Sequence, residues 1–157
     1  MRTFEKFELQ QDHAWTPQVV GYVNEIVEPA APWGYEEVLS DLVNPKINLY
    51  GLAVDGRMTA FGALYGPYAA GLIMLEYLVV DPSVRGLGYG SAMLEELEHA
   101  AGRLGAHEMR VSPLSGPRVT NFYKNREYTW LQVDPDDPDS RWMAKELRNL
   151  GTARLRS

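Results

Sequence analysis

The chain has 157 residues, 45% hydrophobic and 23% charged, the balance of a soluble globular protein rather than of a disordered or fibrous one. A formal net charge of −6 disfavours a nucleic-acid binder, which ordinarily carries a basic footprint. The absence of cysteine excludes a disulfide framework, a thiolate nucleophile and a sulfur-ligated metal.

No apolar run approaches the roughly 18 residues that span a bilayer; Leu72-Ile73-Met74-Leu75 stops at Glu76. The start, Met1-Arg2-Thr3-Phe4-Glu5-Lys6, lacks the apolar stretch of a signal peptide. The expectation is a cytoplasmic chain forming one domain over residues 1–157, with no nucleic-acid or membrane partner. His13, His99 and His107 are scattered without metal-ligand spacing, so no metal is expected. A homodimer stays open.

Phe4, Phe7 and Leu9 suit a first strand. Thr16-Pro17 opens a helix, with a capping hydroxyl before a proline in the first turn. Val19, Val20, Val23, Ile26 and Val27 then recur at helical spacing. Pro29 and Pro32 end that helix, and Tyr35, Val38, Leu39 and Leu42 share one face of a short second one. From Ile47 the period becomes two, and Asp55-Gly56 supplies a hairpin turn. The return strand runs from about Met58 to Tyr65, broken by Gly66-Pro67, and a third runs from Leu72 to Val80. Short connections make these an antiparallel meander.

After Asp81-Pro82 comes a glycine-rich loop, then an amphipathic helix over about Gly90–Leu104 with Met93, Leu94, Leu97, Ala100, Ala101 and Leu104 inward. A strand near Met109-Arg110-Val111 follows, then a helix opened by Pro117 with Val119, Phe122 and Tyr123 on one face. Strands near Tyr128–Val133 and Trp142–Leu147 flank the acidic loop Asp134–Asp139. Strands interleaved with helices place the fold in the α/β or α+β class, around a mixed sheet.

The segment Val79-Val80-Asp81-Pro82-Ser83-Val84-Arg85-Gly86-Leu87-Gly88-Tyr89-Gly90-Ser91 carries the chemistry. Glycines let backbone approach a ligand closely, and a helix start offers N–H groups with partial positive charge. Together they make an anion site suited to phosphates. The dinucleotide fingerprint fails, because Ser91 stands where its third glycine belongs, and no Gly-Lys-Ser/Thr end completes a Walker loop. Arg85 is either a fixed cation for the anion or a plain surface arginine.

Arg85-Gly86-Leu87-Gly88-Tyr89-Gly90 resembles the Arg/Gln-x-x-Gly-x-Gly/Ala signature of the GNAT superfamily of acyl-CoA-dependent N-acyltransferases. Leu78-Val79-Val80-Asp81-Pro82 is similar to that family's fourth strand. Asn121-Phe122-Tyr123-Lys124-Asn125-Arg126-Glu127-Tyr128 resembles its helix-to-strand segment, where an aromatic follows a tyrosine by five residues. The likeness is specific over about residues 47–147. It departs at Glu127, where members often have glycine, and at Gly116, where they often have asparagine.

The resemblance implies a mostly antiparallel mixed sheet of about six or seven strands flanked by about four helices. It implies acetyl-CoA as acyl donor, with backbone groups of Leu78 and Val80, beside Val79, pairing with the pantetheine arm. It implies that the stretch from Arg85 and Gly86 through Leu87, Gly88, Tyr89, Gly90 and Ser91 holds the pyrophosphate. Tyr123 is then the general acid for the leaving thiolate, or else a core aromatic.

Glu76 interrupts an apolar strand on the face shared with Leu78 and Val80. It is the base, or an edge carboxylate with a water chain serving instead; an aliphatic ammonium costs roughly 4–5 kcal/mol to deprotonate at pH 7. Without cysteine, direct attack by a primary amine in a ternary complex is the natural mechanism. Small polyamine, amino acid, antibiotic and protein amines all remain open as acceptor. The alternative is a non-catalytic acyl-CoA-binding sensor or interaction module.

Overall fold

A computed structural model describes residues 1–8, 14–27, 40, 42–68, 71–112, 117–131 and 142–147. In chain order these form β1 (Arg2–Phe7), α1 (Thr16–Val27), β2 (Ile47–Val54), β3 (Arg57–Tyr68), β4 (Leu72–Val80), a 3-10 turn (Pro82–Val84), α2 (Tyr89–Arg103), β5 (Glu108–Val111), α3 (Pro117–Lys124), β6 (Thr129–Trp130) and β7 (Met143–Glu146). The seven strands lie in the order β1-β2-β3-β4-β5-β7-β6. The pairs β1/β2, β2/β3, β5/β7 and β6/β7 are antiparallel, whereas β4/β5 is parallel. This is the mixed, mostly antiparallel sheet that the sequence implies. Three α-helices are present among the described residues; of the expected helix ending at Leu42, Ser40 and Leu42 are helical, and Tyr35, Val38 and Leu39 lie outside them. No helix among the described residues is long and apolar enough to cross a membrane.

The chain divides into two compact units, Met1–Tyr65 with Glu76–Leu97, and Gly66–Leu75 with Glu98–Ser157. In the first unit, Asp55 and Gly56 both take positive φ (51° and 82°), the geometry of a two-residue hairpin turn matched to strand twist. Leu49 through Ala53 are buried on both faces, so β2 is an interior strand and its apolar run does not alternate with polar residues. Phe7, Trp15, Val19, Tyr22, Met58, Phe61 and Val79 belong to one core cluster there. Helix α1 begins at Thr16 itself, the residue expected to cap it: Val19 N–H donates to Trp15 O at 3.0 Å, which puts Trp15 at the cap position. Pro17 then falls in the first turn, where its missing N–H costs no helical bond.

In the second unit, β4 and β5 pair from Leu72↔Glu108 to Leu75↔Val111, and β7 covers the other side of β5 from Glu108↔Glu146 to Val111↔Met143. The break expected at Gly66-Pro67 does not occur, because β3 continues through these residues to Tyr68. Gly66 has φ 119°, and a Cβ there would meet Leu72 O at 3.2 Å. A side chain at that φ would be strained and its Cβ crowded against the next strand, which favours glycine here.

Candidate active site

Period two along β4 puts Ile73, Leu75 and Val79 inward, while Leu78 and Val80 are half-buried and Glu76 is exposed on the opposite face. The register with β5 ends at Leu75↔Val111, and β4 runs on through Glu76, Tyr77, Leu78, Val79 and Val80. Tyr77 stacks on Phe61 at 6.5 Å between ring centroids, which fixes the register of this stretch in the first unit.

Asp81 anchors the start of the loop. A register shift between β2 and β3 pairs Leu52 with Ala60 and Ala53 with Met58, leaving Thr59 as the extra residue. Thr59 O accepts Asp81 N–H at 2.8 Å, and the Thr59 hydroxyl donates to Leu52 O at 2.9 Å. The Asp81 carboxylate accepts the Ser83 N–H and hydroxyl on one oxygen and the Tyr22 hydroxyl, at 2.8 Å, on the other. Arg57 lies 3.9 Å from the carboxylate and donates to Ser83 Oγ at 3.1 Å. The Ser83 bonds, set against partial burial, hold the Asp81 carboxyl below its ordinary range, and Tyr22 and Arg57 add to the effect. Burial foremost, and Asp81 second, push the Tyr22 hydroxyl well above the usual phenol range.

Beyond the turn, Gly86 and Gly88 take φ 82° and 87°. A side chain at either position would be strained, yet nothing lies within 4 Å of where its Cβ would be. The backbone at these two glycines is therefore open to its surroundings. Ala92 N–H donates to Gly88 O at 3.1 Å as the first bond of α2, so the amides from Gly88 through Gly90 precede the helical ladder. Leu87 between the glycines is 69% exposed, and Tyr89 and Ser91 are half-buried in the first turn of α2. Arg85 is exposed, and its Nε donates to Val80 O at 3.1 Å, so its guanidinium is held beside the strand end.

Tyr123, in the second unit, is 6% exposed on α3. Its ring meets Phe122 edge-on at 5.1 Å and Tyr128 at 5.4 Å. Burial pushes its hydroxyl up to about 12. The contact with Tyr128 follows from how α3 ends. Tyr128 N–H donates to Tyr123 O and Glu127 N–H to Lys124 O, both at 3.1 Å, the paired bonds of a Schellman cap. That cap brings the sixth residue against the first, which explains the tyrosine and aromatic five apart. It also requires a left-handed residue at position 127, and Glu127 supplies it with φ 72°. The departure from glycine noted in the sequence thus leaves the backbone shape in place. Helix α2 ends the same way with Gly105 at φ 93°, Ala106 N–H donating to Ala101 O at 3.0 Å.

Three groups at these two places were not singled out from the sequence as candidates. Asp81 reads there only as a strand stop. Glu98 is 4% exposed; its signal was an acid between Leu97 and Ala101 on the inward face of α2. Lys145, on β7, donates to Glu98 Oε1 at 3.1 Å. The acidic loop over 134–139 and Tyr35 lie outside the described residues.

The sequence matches the Acetyltransferase (GNAT) family over residues 20–128. No curated protein matches it. Among solved structures, aminoglycoside 6'-acetyltransferase type Ii superposes with a TM-score of 0.74 at 18% identity, covering 92% of this chain and 97% of that one. The ribosomal-protein-S18-alanine N-acetyltransferase from Escherichia coli gives 0.69 at 19% identity, with 94% of each chain covered. The PaiA N-acetyltransferase from Thermoplasma acidophilum, in complex with coenzyme A, gives 0.68 at 16% identity, covering 93% of this chain and 99% of that one.

Proposed function

Because the chain belongs to the acetyltransferase (GNAT) family, we propose that it transfers an acetyl group from acetyl-CoA to a primary amine by direct attack in a ternary complex. The observation that carries this reading is the open, side-chain-free backbone at Gly86 and Gly88, followed directly by the first amides of α2. Donors without side-chain bulk, next to the positive end of a helix, suit a pyrophosphate. The residues Arg85 through Ser91 hold it, and Asp81, fixed from three sides, sets where they sit. The backbone of Leu78 and Val80 pairs with the pantetheine arm, and acetyl-CoA supplies the activated acyl group.

Tyr123 serves the leaving sulfur. With its pKa pushed up to about 12, the phenol stays protonated throughout the physiological range and works as a donor, never as a base. Thiols ordinarily titrate near 8.5, so so weak an acid stabilises the developing thiolate chiefly through a hydrogen bond. Glu76, exposed on the strand face it shares with Leu78 and Val80, takes the amine's proton directly or through water. Neighbours named for an aminoglycoside and for a ribosomal-protein alanine share this fold at 18% and 19% identity, which leaves the acceptor here a primary amine of any of the classes the sequence left open.

The test is release of free thiol from acetyl-CoA with and without a panel of polyamines, amino acids, aminoglycosides and peptides. Amine-dependent release with one class supports the reading. Saturable cofactor binding without release for any amine would make the chain an acyl-CoA-binding module instead.

A further inference from the structure

The second unit contains a buried polar cluster that no step above uses. Glu98 Oε2 accepts the Tyr128 hydroxyl at 2.8 Å, and Glu98 Oε1 accepts Lys145 Nζ at 3.1 Å. Burying a carboxylate is costly unless its oxygens are engaged, and here each has a donor. The Tyr128 hydroxyl also lies 3.3 Å from Met109 Sδ, and Lys145 Nζ sits 5.8 Å from the Tyr128 ring centroid. Tyr128 is 1% exposed, so its ring is fixed at both ends, by the helix cap at its backbone and by Glu98 at its hydroxyl.

Among the described residues the Tyr123 hydroxyl has no hydrogen-bond partner. The Tyr123 ring is held, among the described residues, by the edges of Tyr128, at 5.4 Å and 70°, and of Phe122. Phenylalanine at position 128 would preserve the bulk and lose the lock. We propose that Tyr128, pinned by Glu98 and Lys145, is a positioning residue that orients the phenol of Tyr123. The inference rests on the reading of Tyr123 as donor to the leaving sulfur.

Two measurements on Tyr128→Phe test it. With acetyl-CoA and the best amine of the panel, kcat should fall about tenfold, as small misplacements of a reacting group do, while the KM for acetyl-CoA stays unchanged. In a Tyr123→Phe background the same change should cost nothing further, because the two act as one unit. Independently of any acceptor, isotope-labelled tyrosine spectra should show the Tyr123 ring signals, assigned by their loss in Tyr123→Phe, displaced in Tyr128→Phe. If Tyr128→Phe does not fold, Glu98→Gln takes its place, with a loss of the same kind and smaller size. An equal loss in both backgrounds, or unmoved Tyr123 signals, overturns the proposal. Normal turnover in Tyr123→Phe overturns the donor role on which it rests, and is read separately from the spectra.

Discussion

Replacing Tyr123 with phenylalanine separates chemistry from packing at a single oxygen. The hydroxyl has no hydrogen-bond partner among the described residues, so the variant breaks no hydrogen bond to them. The ring is 6% exposed and keeps its edge contacts to Phe122 and Tyr128. A volume-conserving change of this kind costs under about 1.5 kcal/mol, and relief of the desolvated hydroxyl moves the balance toward zero. Turnover should behave differently. A positioned donor contributes ~10²–10⁴-fold, and with water partly replacing it the loss should still reach at least ~10-fold, or about 1.4 kcal/mol of barrier. The KM for acetyl-CoA should hold, since the charge that is stabilised develops only in the transition state. With burial pushing the phenol up to about 12, wild-type and variant pH profiles should be parallel across the physiological range. Steady-state kinetics over that range, beside a denaturant titration, decide the matter. An unchanged kcat, or a loss that tracks a loss of folded protein, refutes the reasoning.

Glu76→Gln should lower turnover mainly at low pH, where neutral amine is scarce, with acetyl-CoA affinity unchanged by calorimetry; a parallel loss at every pH speaks for an edge carboxylate. Glu127→Gly should raise stability by about 0.5–1 kcal/mol in denaturant titrations, because a left-handed non-glycine residue costs roughly 1–2 kcal/mol, partly offset by glycine's unfolded-state entropy; Glu127 is 84% exposed, and a net loss would mean that its contact with Lys145 outweighs the strain. Asp81, held below its ordinary range mainly by Ser83, contributes stability that is present above the unfolded carboxyl pKa of about 3.9 and is lost as pH falls through the lower folded value. Asp81→Asn should therefore be less stable at neutral pH and less sensitive to acid in unfolding midpoints measured at neutral pH and near pH 3; unchanged acid sensitivity would assign that linkage elsewhere.

Much of the frame was legible because local chemistry and tertiary context agreed. Asp55-Gly56 requires a left-handed pair and forms one. Leu72–Val80 is apolar apart from Glu76 and is a strand with those bounds. The glycines of the loop were legible as backbone punctuation for the same reason, and Gly86 and Gly88 take the positive φ that glycine permits. Other features depend on partners distant in sequence. Nothing in Gly66-Pro67 announces that β3 continues, because what matters is how closely Leu72 O approaches. Glu98 is a polar residue in an apolar stripe until Tyr128 and Lys145, 30 and 47 residues away, are brought to it. Glu127 breaks a glycine pattern in the letters but not in the backbone, where its φ of 72° takes glycine's place.

The central claim is that the loop from Arg85 to Ser91 holds a pyrophosphate. Calorimetric titration of the unmodified chain with coenzyme A and with pantetheine, which has the same thiol arm and no phosphates, tests it most directly. A charge at a partly buried helix start is worth up to ~2 kcal/mol, so coenzyme A should bind more tightly, by up to about thirtyfold for each such charge. The difference should shrink as salt is added. Equal affinities for the two, or no binding of coenzyme A at all, would contradict the account.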